Sequence, residues 1–153
     1  MIKISHRGNL DGPNEKMENH PDYINKALLE MEVEIDVWYV FGQFVLGHDI
    51  PQYEVGGEFF TDRMWCHAKN IDALYQLLEN DLHCFWHEED ACTVTNRGYM
   101  WTYRNQPLTP KSICVLPELM TEEVTGLHNI AGYCSDFRVP DVFERYRSCK
   151  GLL

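Results

Sequence analysis

Val33-Glu34-Ile35-Asp36-Val37-Trp38-Tyr39-Val40 is the stretch on which the fold turns. Read as a β-strand, it sends Val33, Ile35 and Val37 to one face and Glu34 and Asp36 to the other. Two carboxylates on one strand face cost free energy inside a sheet unless a cation or an arginine compensates them. The pair therefore reads either as a divalent-metal site with oxygen ligands or as the solvent-facing side of the strand.

The flanks carry histidines. Upstream, Ile2-Lys3-Ile4-Ser5 is a short strand ending at His6-Arg7-Gly8. A loop rich in Gly, Asn, Asp and Pro then leads through Glu18-Asn19 to a helix that begins at Pro21, with Asn19 or His20 as its cap, and reaches about Met31. Downstream, Phe41-Gly42-Gln43 is a tight turn into a third strand, Phe44-Val45-Leu46, which ends at Gly47-His48-Asp49. Two histidines framing paired carboxylates form an acid–base kit for ester cleavage near neutral pH.

Met64 to Ala68 is predicted as a fourth strand, and Asn70 as the cap of a helix with Ile71, Leu74, Leu77 and Leu78 on one face. Leu82 to Trp86 is a fifth strand running into His87-Glu88-Glu89-Asp90. A hairpin follows over Thr93–Tyr103, turning at Asn96-Arg97-Gly98. Ser112 to Leu116 is a strand ending at Pro117-Glu118, and Thr121 to Leu127 a short helix. Ile130 to Cys134 is a last strand ending at Ser135-Asp136, and the tail from Asp141 to Cys149 is helical. This mostly alternating order predicts an α/β fold with a parallel sheet. His6, His48, His67, His87, Glu118 and Asp136 collect at strand C-terminal ends, where such folds build sites.

The bulk numbers set limits. A chain of 153 residues is one domain, residues 1–153, able to form a core without staples. No apolar run approaches the ~20 residues of a membrane helix, and the N-terminus enters a strand directly, so the expected location is cytoplasmic, with no membrane insertion. A net charge of −11 argues against nucleic acid as a partner but leaves room for an anionic small molecule where Arg or Lys reverses the local sign. The six cysteines show no CxxC spacing and read as buried free thiols. Trp65, Trp86, Trp101 and Tyr103 are core aromatics or a stacking wall.

In this setting Arg7 offers a bidentate fork for a phosphate. Lys69, two residues beyond His67, would stabilise charge developing on a phosphoryl oxygen. His87, Glu118 and Asp136 are candidates for the substrate pocket, and His20 and His128 for capping or surface positions.

Taken together, His6-Arg7-Gly8, Glu18-Asn19, Glu34-Ile35-Asp36 and His48-Asp49 resemble, in order and spacing, the motifs of the glycerophosphodiester phosphodiesterase family. The resemblance implies a TIM-type β/α barrel, here reduced or incomplete because a full barrel takes about 250 residues, with the hairpin inserted. It implies acid–base roles for His6 and His48, a divalent cation on Glu34 and Asp36 (Mg²⁺ or Ca²⁺ first, then Mn²⁺ or Zn²⁺), and a small phosphodiester as substrate. The family's next motif, Glu-x-Lys, reads His67-Ala68-Lys69 here, so Lys is kept and His67 stands in for a ligand Glu. Two rival expectations follow: a non-catalytic phospho-ligand binding protein, and a zinc hydrolase built on His6, His48, His67 and His87.

Overall fold

A computed structural model describes residues 1–120 and 127–138. Ten strands join in one sheet: β1 (Ile2–His6), β2 (Glu32–Val40), β3 (Gln43–Leu46), β4 (Tyr53–Val55), β5 (Met64–Ala68), β6 (Cys84–Trp86), β7 (Cys92–Val94), β8 (Met100–Thr102), β9 (Ser112–Val115) and β10 (Gly132–Ser135). Among the described residues there are two α-helices, α1 (Pro21–Ala27) and α2 (Ile71–Glu79).

The strands β6-β5-β2-β1-β10-β9-β8 are mutually parallel, and β7 closes the row antiparallel to β8. β2 is longer than its neighbour β1, so β3 pairs antiparallel with its far end, and β4 pairs with β3. The sheet curls until β6 faces the hairpin. The two ends are tied by Asn96 N–H to the Cys84 carbonyl (3.0 Å), Cys84 N–H to Asn96 Oδ1 (2.9 Å) and Thr93 Oγ1 to the Trp86 carbonyl (2.9 Å).

This overturns the expected TIM-type barrel. Such a barrel needs a helix after each strand, whereas only the β1–β2 and β5–β6 crossovers carry one among the described residues. The β2–β3–β4 and β7–β8 connections are antiparallel, and the short segment between β8 and β9 is turn and coil. The result is a curled, strand-rich mixed sheet. The expected helix at 121–127 falls almost wholly, and the tail helix at 141–149 wholly, outside the described residues.

Where helices do form, their signals are local. His20 caps α1, its Nδ1 accepting from Asp22 N–H, with Pro21 in the first turn; Asn70 caps α2 by accepting from Ala73 N–H. Both helices pack on the outer face of the sheet, where Ile24, Ala27, Ala73 and Leu77 meet Val33, Ile35 and Val37. Leu108, Met120, Leu127 and Ile130 cover Cys114 of β9.

The inner face is filled by Ile4, Trp65, Phe85, Trp101, Ile113, Val115 and Cys134, with Phe85 stacked on Trp101 at 4.5 Å between ring centroids. Burial of these large rings is the main source of stability on this face. At the β1–β10 seam Gly132 is required, because a Cβ there would stand 2.4 Å from the Ile2 carbonyl oxygen. Cys66, Cys84, Cys114 and Cys134 are buried free thiols, and Cys92 is a half-buried one. No helix among the described residues is long and apolar enough to cross a membrane.

Candidate active site

Above the aromatic filling, the inner face changes from apolar to polar. The alternation of β2 that sends Val33, Ile35 and Val37 outward brings Glu34 (3% exposed) and Asp36 (0%) inward. Register then sets the neighbours: His6 lies beside Glu34, and His67 beside Asp36.

Asp36 is the electrostatic hub. Its Oδ2 accepts from Asn19 Nδ2 (2.9 Å) and faces Arg7 Nε (3.0 Å); its Oδ1 faces His67 Nδ1 (3.0 Å) and Lys69 Nζ (3.6 Å). Burial alone would raise its pKa, but His67, Arg7 and Lys69 outweigh burial and hold it far below the usual carboxylate range. Asn19 also accepts the Asp36 N–H (2.9 Å), so one buried side chain fixes both ends of the aspartate.

Glu34 stands in the opposite condition. Burial, and then the charge of Asp36, push its carboxyl upward. Its Oε2 is buried with no hydrogen-bond partner, and its Oε1 lies 3.9 Å from His67 Nδ1.

Arg7 adopts left-handed backbone (φ 54°), a conformation rare for a side-chain-bearing residue. It is held there by its N–H on the Glu34 carbonyl (3.0 Å) and its own carbonyl accepting from Asn19 N–H (3.1 Å). Its Nη1 donates to Glu18 Oε2 (3.0 Å). Glu18 and Asn19 thus brace Arg7 and Asp36 respectively.

His6 Nδ1 bonds Asp136 Oδ1 (2.8 Å), which also accepts from Asn9 Nδ2 (2.8 Å); the Asp136 N–H donates to Glu118 Oε1 (2.8 Å). Burial works against the His6 imidazolium, but the Asp136 bond and the Glu34 charge win, and its pKa is raised. His48 follows β3 at a backbone corner where a Cβ on Gly47 would meet the Ile50 carbonyl oxygen at 2.1 Å. Trp38 Nε1 donates to the Gly47 carbonyl (2.6 Å), and His48 Nδ1 pairs with Asp49 (2.7 Å). Burial lowers the His48 pKa.

His6, Arg7, Glu34, His48, His67, Lys69 and His87 all line one cavity of about 320 Å³. Asp36 lies beneath them, in contact with Arg7, His67 and Lys69. Glu118 and Asp136, expected in the substrate pocket, are not among the lining residues; they stand behind His6 as its support. Trp86, Trp101 and Tyr103 also line the cavity, whereas Trp65 is core. Tyr103 Oη reaches His87 Nε2 at 2.5 Å. A second cavity of about 430 Å³ adjoins the first, sharing Arg7 and His48 and adding Glu15, Glu18, Asp49 and Gln52.

Asn9, wholly buried, is a site residue that the sequence left unmarked. Asn9 sits in a polar loop that shows no periodicity. Tyr103, read as a core aromatic or part of a stacking wall, lines the cavity, but its bond to His87 leaves no sign in the sequence.

The chain matches no family model, no curated protein and no solved structure.

The donor set can be tested for a metal. Among the described residues the one group of three candidate ligands is Glu34, Asp36 and His67, whose ligand atoms lie within 4.8 Å of one another. Glu34 Oε2 is buried with no hydrogen-bond partner among the described residues, Asp36 Oδ1 is met by His67 Nδ1 and Lys69 Nζ, and His67 Nε2 donates to the His87 carbonyl (3.0 Å), which leaves Nδ1 as the ring atom aimed at the two carboxylates. A ligating histidine typically has its other ring N–H fixed in this way. The three fit a divalent cation. The four histidines proposed for zinc share the cavity without forming such a group.

Proposed function

We propose that the protein is a metal-dependent phosphodiester hydrolase, acting on a small diester of the kind that glycerophosphodiester phosphodiesterases cleave. The observation that carries this reading is the convergence of His6, His48, Arg7 and Lys69 on one cavity that Glu34 also lines, its Oε2 without a hydrogen bond among the described residues. Two cavities that share Arg7 and His48 suit a phosphate with an ester arm on either side.

A divalent cation held by Glu34, Asp36 and His67 would supply positive charge to a phosphoryl oxygen. Arg7, with Nε and Nη1 engaged by Asp36 and Glu18, has Nη2 left for a second oxygen, and Lys69 stabilises charge that grows on the phosphoryl group. His48, kept neutral by burial, takes the proton of the attacking oxygen, that of water or of a neighbouring substrate hydroxyl. His6, its Nδ1 tied to Asp136 and its imidazolium favoured, protonates the departing oxygen from Nε2 as the ester P–O bond breaks. Environments that push two titrating groups apart in this way assign acid and base.

A phospho-ligand binding protein is the second reading, favoured by Arg7, Lys69 and His67 already offsetting Asp36. Turnover separates the two. With a divalent cation present, glycerophosphodiesters and an aryl phosphodiester are expected to be cleaved, and His6→Ala and His48→Ala each to lose about 10²-fold or more in rate. Undiminished activity in the double variant would reject the mechanism. Tight phosphate-ester binding without turnover, abolished by Arg7→Ala, would favour the binding protein.

A further inference from the structure

His67 is held on its ring faces and at one ring nitrogen. Its ring stacks with Phe85 (5.2 Å between centroids, 6° between planes) and with His87 (5.1 Å, 28°). Its Nε2–H is spent on a main-chain carbonyl, a partner that neither titrates nor changes with the side chain at position 87. The ring therefore cannot turn aside, and Nδ1 faces Asp36 Oδ1 at 3.0 Å and Glu34 Oε1 at 3.9 Å. Neighbouring ligands around a tetrahedral ion with bonds of about 2.1 Å stand about 3.4 Å apart, a value that lies between the two separations.

We propose that His67 makes this a site for a divalent transition ion of the zinc class, in preference to Mg²⁺ or Ca²⁺. The inference rests on reading Glu34, Asp36 and His67 as a metal centre. Hard cations take their affinity from oxygen ligands and net negative charge. Here one of three ligands is nitrogen, and Arg7 and Lys69 lie 3.0 and 3.6 Å from Asp36, cancelling much of that charge. Imidazole nitrogen suits zinc and its neighbours in the first transition row, whose bonds to it depend less on the charge of the site.

The experiment is a binding measurement that needs no turnover. Metal-free protein is titrated with Co²⁺, Zn²⁺, Mg²⁺ and Ca²⁺ by calorimetry and, for Co²⁺, by visible absorption; thermal melts verify the fold of each variant. One equivalent of Co²⁺ or Zn²⁺ is expected, bound at least about a hundredfold more tightly than Mg²⁺ or Ca²⁺, and lost in Glu34→Gln. His67→Glu should narrow that ratio by about tenfold or more, because an oxygen replaces the nitrogen. Should His67→Glu fail to fold, wild-type protein loaded with Mn²⁺ still decides the matter, since pulsed EPR should show ¹⁴N coupling from one imidazole. A bound ion without nitrogen coupling, or a ratio unmoved by His67→Glu, overturns the selectivity inference and leaves the hydrolase standing. Binding of no cation at all overturns the metal-dependent reading along with it.

Discussion

Glu34→Gln should stabilise the metal-free protein while weakening cation binding at the proposed centre. Glu34 is 3% exposed, and its Oε2 has no hydrogen-bond partner. An unsatisfied buried polar group costs about 1–3 kcal/mol, more when charged, and the neighbouring Asp36 carboxylate adds to that cost, with Arg7, His6 and His67 offsetting part. Replacing the charge with a neutral amide of the same shape should therefore gain about 2 kcal/mol at pH 7, or about 4–8 °C in Tm for a chain of this size. The sign with pH follows from the direction of the shift. A carboxyl whose folded pKa is raised contributes stability that is fully present below its unfolded value of 4.5 and lost as pH rises through the folded value. Wild type and variant should thus melt together near pH 4.5 and diverge toward pH 7. Metal at about a hundred times Kd adds about 2.7 kcal/mol to wild type alone, reversing the order. Calorimetric melts at both pH values, with and without metal, measure all of this. A metal-free Glu34→Gln that melts below wild type at pH 7 would refute the reasoning.

Two further outcomes follow from groups around the site. Asn19→Ala should cost about 3–5 kcal/mol in urea unfolding, because it breaks two buried bonds to Asp36, one of them charged, and puts alanine at φ 62°; Asn19→Gly, free of the backbone cost, should recover only a small part, and a cost under about 1 kcal/mol in the alanine variant would count against the clamp. His83, lowered to about 4 by burial and by the charge of Arg97, bonds Thr95 Oγ1 at 2.9 Å and contributes stability present above its unfolded pKa of about 6.5, lost as pH falls toward 4; His83→Gln should flatten the slope of unfolding free energy across that window, and an unchanged slope would show that the acid sensitivity lies elsewhere.

Which residues share one cavity was more legible in the sequence than the architecture that holds them. Period-two alternation at Val33–Val37 needs no tertiary knowledge, so the inward pair Glu34 and Asp36 could be read directly, as could Pro21 and Asn70 at the helix starts. The position of His6, His48, His67 and Lys69 just beyond apolar strands pointed to a shared mouth. Fold class was not legible in the same way. Short apolar runs such as Cys84–Trp86 and Ser112–Val115 look alike whether a helix or a coil follows them, and a parallel crossover can be made by either. Strand partners that lie 100 residues or more apart also leave no local trace. Asp136 reads as a strand-end acid, a substrate-pocket candidate, until β10 is seen to lie against β1, which turns it into the support for His6. Asn9 is silent for the same reason, since its partners Glu18 and Asp136 meet only in the folded chain.

The insertion of β10 between β1 and β9 also orders events during synthesis. Every group assigned to the chemistry, from His6 to Lys69, leaves the ribosome in the first half of the chain, but the carboxylate that aligns His6 is residue 136. Until β10 emerges, β1 is an open edge and its histidine has no anchor. A chain stopped before β10 therefore carries the candidate residues His6 to Lys69 without the carboxylate that holds His6. The pairing of β1 with β10 is a long-range closure of the kind that folds slowly.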